Sequence, residues 1–160
     1  EEDMSLKMPP LKLVVAMSLG KAGAVAKNHQ SGVVIGADTF VVLGNHLLGK
    51  PKNSSDAKKM LMKVSGKRVD ILTGLTIINI ETNKTINVTD VTKVYIKKLD
   101  SREINNYIAS GEPLDKAGAF AIQGLGAVII RRIEGDFMAA MGLPLYTLAK
   151  ELKKIGVTIL

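Results

Sequence analysis

The chain has 160 residues, a net charge of +7, 46% hydrophobic and 23% charged residues, and no cysteine. At this size about two thirds of the unfolded surface can be buried, so one packed domain is expected, and low-complexity or solenoid architectures are excluded. Without cysteine there is no disulfide scaffold, thiolate metal site or cysteine nucleophile, and no apolar run approaches the ~20 residues that span a bilayer.

Residues 9–29 open with Pro9-Pro10 and carry Leu11, Val14, Val15, Ser18, Ala22 and Val25 at helical spacing, which predicts one helix. Val33 to Leu43 is an almost unbroken β-branched and apolar run holding one acid, Asp38, the pattern of a buried central strand. Gly44-Asn45 turns the chain. A second helix is signalled by Asn53 or Ser54 as cap, by Ala57, Met60, Leu61 and Val64 on one face, and by Gly66 as stop. Residues 67–80 and 85–97, rich in Val, Ile and Thr, flank Thr82-Asn83-Lys84 and predict two long antiparallel strands. Asp100-Ser101-Arg102-Glu103 is an acid-capped form of the capping box, followed by Ile104, Tyr107 and Ile108 and stopped by Gly111. A glycine-rich stretch, 111–126, interrupts regular structure. Ala127 to Ile133 reads as a strand, Arg131 to Phe137 as a charged, glycine-broken turn at its end, and Pro144 to Ile155 as a helix with Leu148, Leu152 and Ile155 inward. The class is mixed α/β.

Three places could carry chemistry. Asp38 costs several kcal/mol within an apolar strand unless it is hydrogen-bonded, paired or bound to metal, so it needs a partner. Lys50, framed by Gly49 and Pro51, could hold an ammonium group against an anion; a structural Asp–Lys pair and a catalytic acid with a phosphate-binding lysine both fit. Residues 111–124 place Glu112, Asp115, Lys116 and Gln123 among glycines, where backbone amides can approach a ligand closely. There lysine can balance phosphate charge, carboxylates can hold a divalent ion or take a proton from water, and glutamine can read a base. No GxxxxGK[ST] loop, dinucleotide fingerprint or HExxH occurs, and His29 and His46 have no ligand spacing. The lysines are scattered and aromatics are only 4%, so a solvated basic surface or a site for a phosphate-bearing small molecule is expected rather than a dedicated nucleic-acid surface.

The runs Gly36-Ala37-Asp38-Thr39, Gly49-Lys50-Pro51, Asp56-Ala57, Ser65-Gly66, Thr73-Gly74, Gly111-Glu112-Pro113, Asp115-Lys116-Ala117-Gly118, Ile122-Gln123-Gly124 and Gly142-Leu143-Pro144 stand in collinear order along the chain. This pattern resembles the Maf-like nucleotide pyrophosphatases. The resemblance implies a largely antiparallel long sheet flanked by helices, related to the inosine triphosphate pyrophosphatases, with a cleft between two lobes. It also implies a reaction dependent on a divalent metal (Mg, Mn or Co) that yields a nucleoside monophosphate and pyrophosphate. Carried over by position, Asp38 would accept the proton of the attacking water, Thr39 and Gln123 would discriminate the nucleobase, and Lys50 and Lys116 would offset phosphate charge. Glu2, nineteen residues before Lys21, and Asp115 would be metal-associated acids. Within the family, Asp-Lys-Ala-Gly followed by Ile-Gln-Gly resembles the subgroup acting on dTTP and UTP, and residues 115–124 side with it. The family's opening strand and Ser-x-Arg-Arg-like phosphate loop are not in the sequence, so the expectation is a single Maf-like domain over 1–160 without them. A homodimer in the cytoplasm is expected, with no membrane partner. The alternative that the resemblance allows is a non-catalytic, nucleotide-binding regulator of septum formation.

Overall fold

A computed structural model of the protein describes residues 8–160. Its elements in chain order are α1 (Pro10–Ala26), β1 (Val33–Leu43), β2 (His46–Leu48), α2 (Ser54–Val64), β3 (Arg68–Asn79), β4 (Lys84–Ile96), α3 (Ser101–Ala109), β5 (Ile130–Glu134), α4 (Phe137–Ala140) and α5 (Leu145–Lys153), with three 3₁₀ turns between α3 and β5. The strands form one five-stranded sheet in the order β2-β1-β3-β4-β5. β1 with β2 and β4 with β5 are antiparallel. β3 and β4 are antiparallel neighbours too, because the connection of residues 80–83 is too short for a crossover. Among the described residues no helix is long and apolar enough to cross a membrane.

The chain forms two compact units, and β1, β3 and β4 each run from one into the other. The first holds the described residues up to Thr39, Leu72–Val91 and Asp136–Leu160. Its core is Leu75 and Ile77 of β3 against Leu148 and Leu152 of α5, with Val33, Ile86, Leu143 and Ile155 packed around them. α1 buries Leu13, Val14, Ser18 and Ala22, a stripe shifted from the expected one, since Leu11 and Val25 are exposed. Two glycines let α1 lie close to the strands. A Cβ on Gly36 would stand 2.5 Å from the Ser18 carbonyl oxygen, and one on Gly74 would stand 2.4 Å from that of Val14. Both are shorter than any real carbon–oxygen contact, so only glycine fits unless the helix moves.

The second unit holds Phe40–Ile71 and Thr92–Gly135. Here α2 packs on α3 and on the 3₁₀ turns Glu112–Asp115 and Ala117–Ala119, burying Ala57, Leu61 and Val64. Asn53 caps α2 by accepting the amide of Asp56 at 3.0 Å. The capping box of α3 forms in full, with Asp100 accepting from the Glu103 amide at 2.8 Å and Glu103 from the Asp100 amide at 3.0 Å.

The short strand β2 was not expected, and after α3 two further elements differ from the sequence reading. The strand expected from Ala127 begins only at Ile130, because Gly124–Ile129 winds into a 3₁₀ turn. The β-rich run Ala127-Val128-Ile129 is overridden by tertiary bonds, the Glu112 carboxylate accepting the amides of Leu125 and Gly126 at 2.9 and 2.7 Å. The segment after β5, read as a turn, contains the short helix α4. It is capped by Asp136, which accepts the amides of Met138 and Ala139.

Candidate active site

In the first unit, β1 carries Asp38 on the face that meets α1 and Thr39 on the opposite face. Asp38 is 9% exposed, and its Oδ1 accepts a hydrogen bond from Lys21 Nζ of α1 at 2.6 Å. Lys21 is therefore the cation that answers the acid in the apolar strand, and its own outer part stays in solvent. Asp38 Oδ2 is buried and accepts no hydrogen bond from the described residues. A buried carboxylate oxygen without a donor is costly, and such an atom marks a place built to receive one. Thr39, half-buried, lies 3.0 Å from Thr73 of β3, hydroxyl to hydroxyl, and Thr73 in turn donates to the carbonyl of Ala139 at 2.7 Å.

In the second unit, the exposed Lys50 follows Gly49, whose carbonyl accepts the Gly118 amide at 2.9 Å. That bond ties the Gly49-Lys50-Pro51 segment to the turn carrying Lys116. Gly118 has φ +71, and a Cβ there would meet the Phe120 ring at 3.0 Å and Val41 at 3.2 Å, so the close approach depends on glycine. Lys116 Nζ reaches both Asp115 oxygens at 2.7 and 2.9 Å. The Lys116 bond holds the Asp115 carboxyl below its ordinary range, with Lys50 adding to the effect. Gln123 is exposed and extended at the entry to the 124–129 turn, its amide making no hydrogen bond among the described residues.

Glu112, read from the sequence as one of two acids available to a ligand, is a fastener. Its carboxylate accepts from the Leu125 and Gly126 amides and from the Tyr107 hydroxyl, the last at 2.9 Å. Partial burial pushes the Glu112 carboxyl up, but the bonds from Gly126, Leu125 and Tyr107 outweigh it and leave the group below its ordinary value. Tyr107 completes the knot by accepting the Ala121 amide at 3.0 Å, and burial pushes its phenol well above the ordinary range.

Two separately built clusters result. One is an acid with a fixed cation and a buried oxygen that no described donor meets, with a hydroxyl chain on the opposite face of the same strand. The other is a pair of lysines and an acid on glycine-held turns, suited to phosphate oxygens, with a free carboxamide on the same stretch. The family model described as Maf-like protein matches residues 1–155. This chain belongs to the Maf-like family. Among Maf-like relatives it is 45% identical over 159 residues to a dTTP/UTP pyrophosphatase of Methanosarcina mazei, covering 99% of this chain and 81% of that protein. It is 47% identical, with the same coverage, to one from Methanosarcina barkeri. With the dTTP/UTP pyrophosphatase of Bacillus cytotoxicus it shares 42% identity over 154 residues, 96% of this chain and 80% of the relative.

Of the expected site residues, Asp38 and Thr39 are consecutive on β1 with side chains on opposite faces, and Lys50, Asp115 and Lys116 share one neighbourhood with Gln123 on the same loop stretch. Glu2 lies outside the described residues. The sequence reading assigned no chemistry to Thr73 or Tyr107. Thr73 sits in a Val/Ile/Thr-rich strand where threonine is common on propensity alone, and its only distinguishing mark was the Thr73-Gly74 pair.

Proposed function

We propose that this chain hydrolyses the bond between the α and β phosphates of dTTP or UTP, releasing the monophosphate and pyrophosphate. The observation that carries the reading is Asp38: a buried carboxylate with Oδ1 fixed by Lys21 at 2.6 Å and Oδ2 without a donor among the described residues. In this reading Oδ2 takes a proton from water as the water oxygen bonds to the α phosphorus, and the α–β bridging oxygen leaves with the pyrophosphate. Lys21 holds the carboxylate in place during the transfer. Lys50 and Lys116 offset phosphate charge, which is where most of the acceleration of phosphoryl chemistry arises. Thr39 and Gln123 face the base.

A divalent cation fits the donors available. The chain offers hard carboxylate oxygens and no thiolate, and Asp115 is 72% exposed with lone pairs beyond those spent on Lys116. Among the described residues no three His, Asp or Glu side chains gather, and Mg²⁺ needs no such cage, because it binds through one or two carboxylates plus substrate phosphates. Asp115, with Glu2 by family position, would hold the ion, whose charge would neutralise the leaving pyrophosphate.

The test is release of monophosphate and pyrophosphate from dTTP and UTP by purified protein with Mg²⁺ or Mn²⁺. Asp38→Asn keeps the shape and removes the proton acceptor, so turnover should fall by at least about a hundredfold, the usual contribution of general-base catalysis. Undiminished turnover in that variant refutes the assignment of Asp38. Nucleotide binding with no turnover in the unaltered protein favours the regulatory alternative.

A further inference from the structure

The hydroxyl chain beneath Thr39 has a fixed direction. Thr73 Oγ1 lies 2.7 Å from the Ala139 carbonyl oxygen, and a carbonyl cannot donate, so the single hydroxyl hydrogen of Thr73 points there. The Ala139 carbonyl also accepts the Gly142 amide at 2.9 Å, which engages both of its lone pairs, and Asp136 holds α4 so that this carbonyl stays in place. Thr39 Oγ1 is 3.0 Å from Thr73 Oγ1. With the Thr73 hydrogen already committed, Thr39 must be the donor in this second bond. The hydrogen of Thr39 is then also spent, and its half-buried oxygen has only lone pairs left to offer. Gly142, at φ +117, passes beside it: a Cβ there would lie 3.8 Å from Thr39 Oγ1, and no side chain projects at that point.

We propose that Thr73 is a positioning residue that makes Thr39 an acceptor-only reader of the nucleobase. This rests on the reading above, in which Thr39 faces the base. An acceptor-only group selects a donor. Meeting ring position 3, Thr39 finds an N–H in uracil and thymine but a bare lone pair in cytosine, whose amino donors sit at position 4, so at position 3 oxygen and nitrogen lone pairs would oppose each other. A hydroxyl free to rotate could donate to cytosine and would not discriminate. The preference for imide pyrimidines is thus set two bonds away, by a buried carbonyl that never meets the nucleotide.

The experiment compares kcat/KM for UTP and CTP in the unaltered protein, in Thr73→Val, which frees the Thr39 hydrogen, and in Thr73→Ser, which keeps the chain of bonds. UMP and CMP affinities are measured by calorimetry on the same proteins, so the comparison does not depend on turnover. The UTP:CTP and UMP:CMP ratios should fall by about five- to tenfold in Thr73→Val, the scale of one neutral hydrogen bond, and return in Thr73→Ser. Thr39→Val, at a half-buried position that tolerates the change, should abolish the preference in the same way if Thr73→Val does not fold. A purely structural Thr73 would lower both substrates alike, and an unchanged ratio in well-folded Thr73→Val or Thr39→Val overturns the proposal. So does an unaltered protein with no preference for UMP over CMP. Failure of the reading it rests on is distinct: no turnover of any triphosphate, with the UMP:CMP preference still collapsing in Thr73→Val, removes the enzyme and keeps the device.

Discussion

Replacing Glu112 with alanine should loosen the glycine-rich stretch more than any other single change to a charged side chain there. The carboxylate takes three donors, the Tyr107 hydroxyl and the amides of Leu125 and Gly126. A hydrogen bond to a charged group contributes about 1.5–3 kcal/mol. The bond from Leu125 is exposed, and water can replace the carboxylate there. Counting only the two part-buried bonds, at the lower end, gives a loss of about 3 kcal/mol. For a chain of this length that corresponds to a fall of roughly 6–12 °C in Tm. Glu112→Gln keeps one acceptor but turns an NH2 toward existing donors, so about half that loss is expected. The pH dependence has a definite sign. The folded pKa of Glu112 is lowered from 4.5, so its stabilisation is fully present above pH 4.5 and is lost as pH falls through the lower folded value. Urea titrations of the unaltered protein and Glu112→Gln should therefore be separated at pH 7 and converge as pH falls through the lowered folded value. Alanine and unaltered proteins within 0.5 kcal/mol of each other, or a gap that does not close in acid, would refute this account of the loop.

Other changes test the remaining joints. Gly74→Ala, whose Cβ would stand 2.4 Å from a helix carbonyl, should cost about 2–3 kcal/mol by urea unfolding. Gly20→Ala, with nothing within 4 Å and a place inside α1, should instead stabilise by about 0.5–1 kcal/mol. Lys21→Met strips Asp38 of its cation. Because Lys21 is 46% exposed, the stability loss should be about 1–2 kcal/mol, below that for a fully buried pair, while nucleotide turnover falls more steeply than Tm suggests. Asp100→Ala removes a complete capping box and should lower stability by about 1 kcal/mol.

Much of the fold was readable from local signals. β1 spans the residues the apolar run marked, Val33 to Leu43, and Asn53 and Asp100 cap the helices they were expected to cap. Such features depend on residues within a few positions of one another, which is why spacing reveals them. Of the two departures after α3, non-local bonds produced one and a local cap the other. The run before β5 has strand-forming residues, yet the Glu112 carboxylate holds the two amides just ahead of it, those of Leu125 and Gly126, in a 3₁₀ turn. α4 exists because Asp136 caps it, in a segment whose charge and glycines read as a turn.

The sequence by itself determined the family, the acid in the central strand and the lysine- and glycine-bearing turns, because each is a matter of which residue stands where. It could not determine what answers Asp38, since the partner, Lys21, lies seventeen positions away on a helix, and only packing of α1 on β1 brings Nζ to 2.6 Å. Nor could it separate Glu112 from Asp115. Both are acids on one loop, and tertiary structure made the first a fastener under three donors and left the second open to solvent. The direction of the Thr39 hydroxyl is further still from the sequence, because it follows from where the last hydrogen in a chain of bonds must go, and three separate segments meet to decide it.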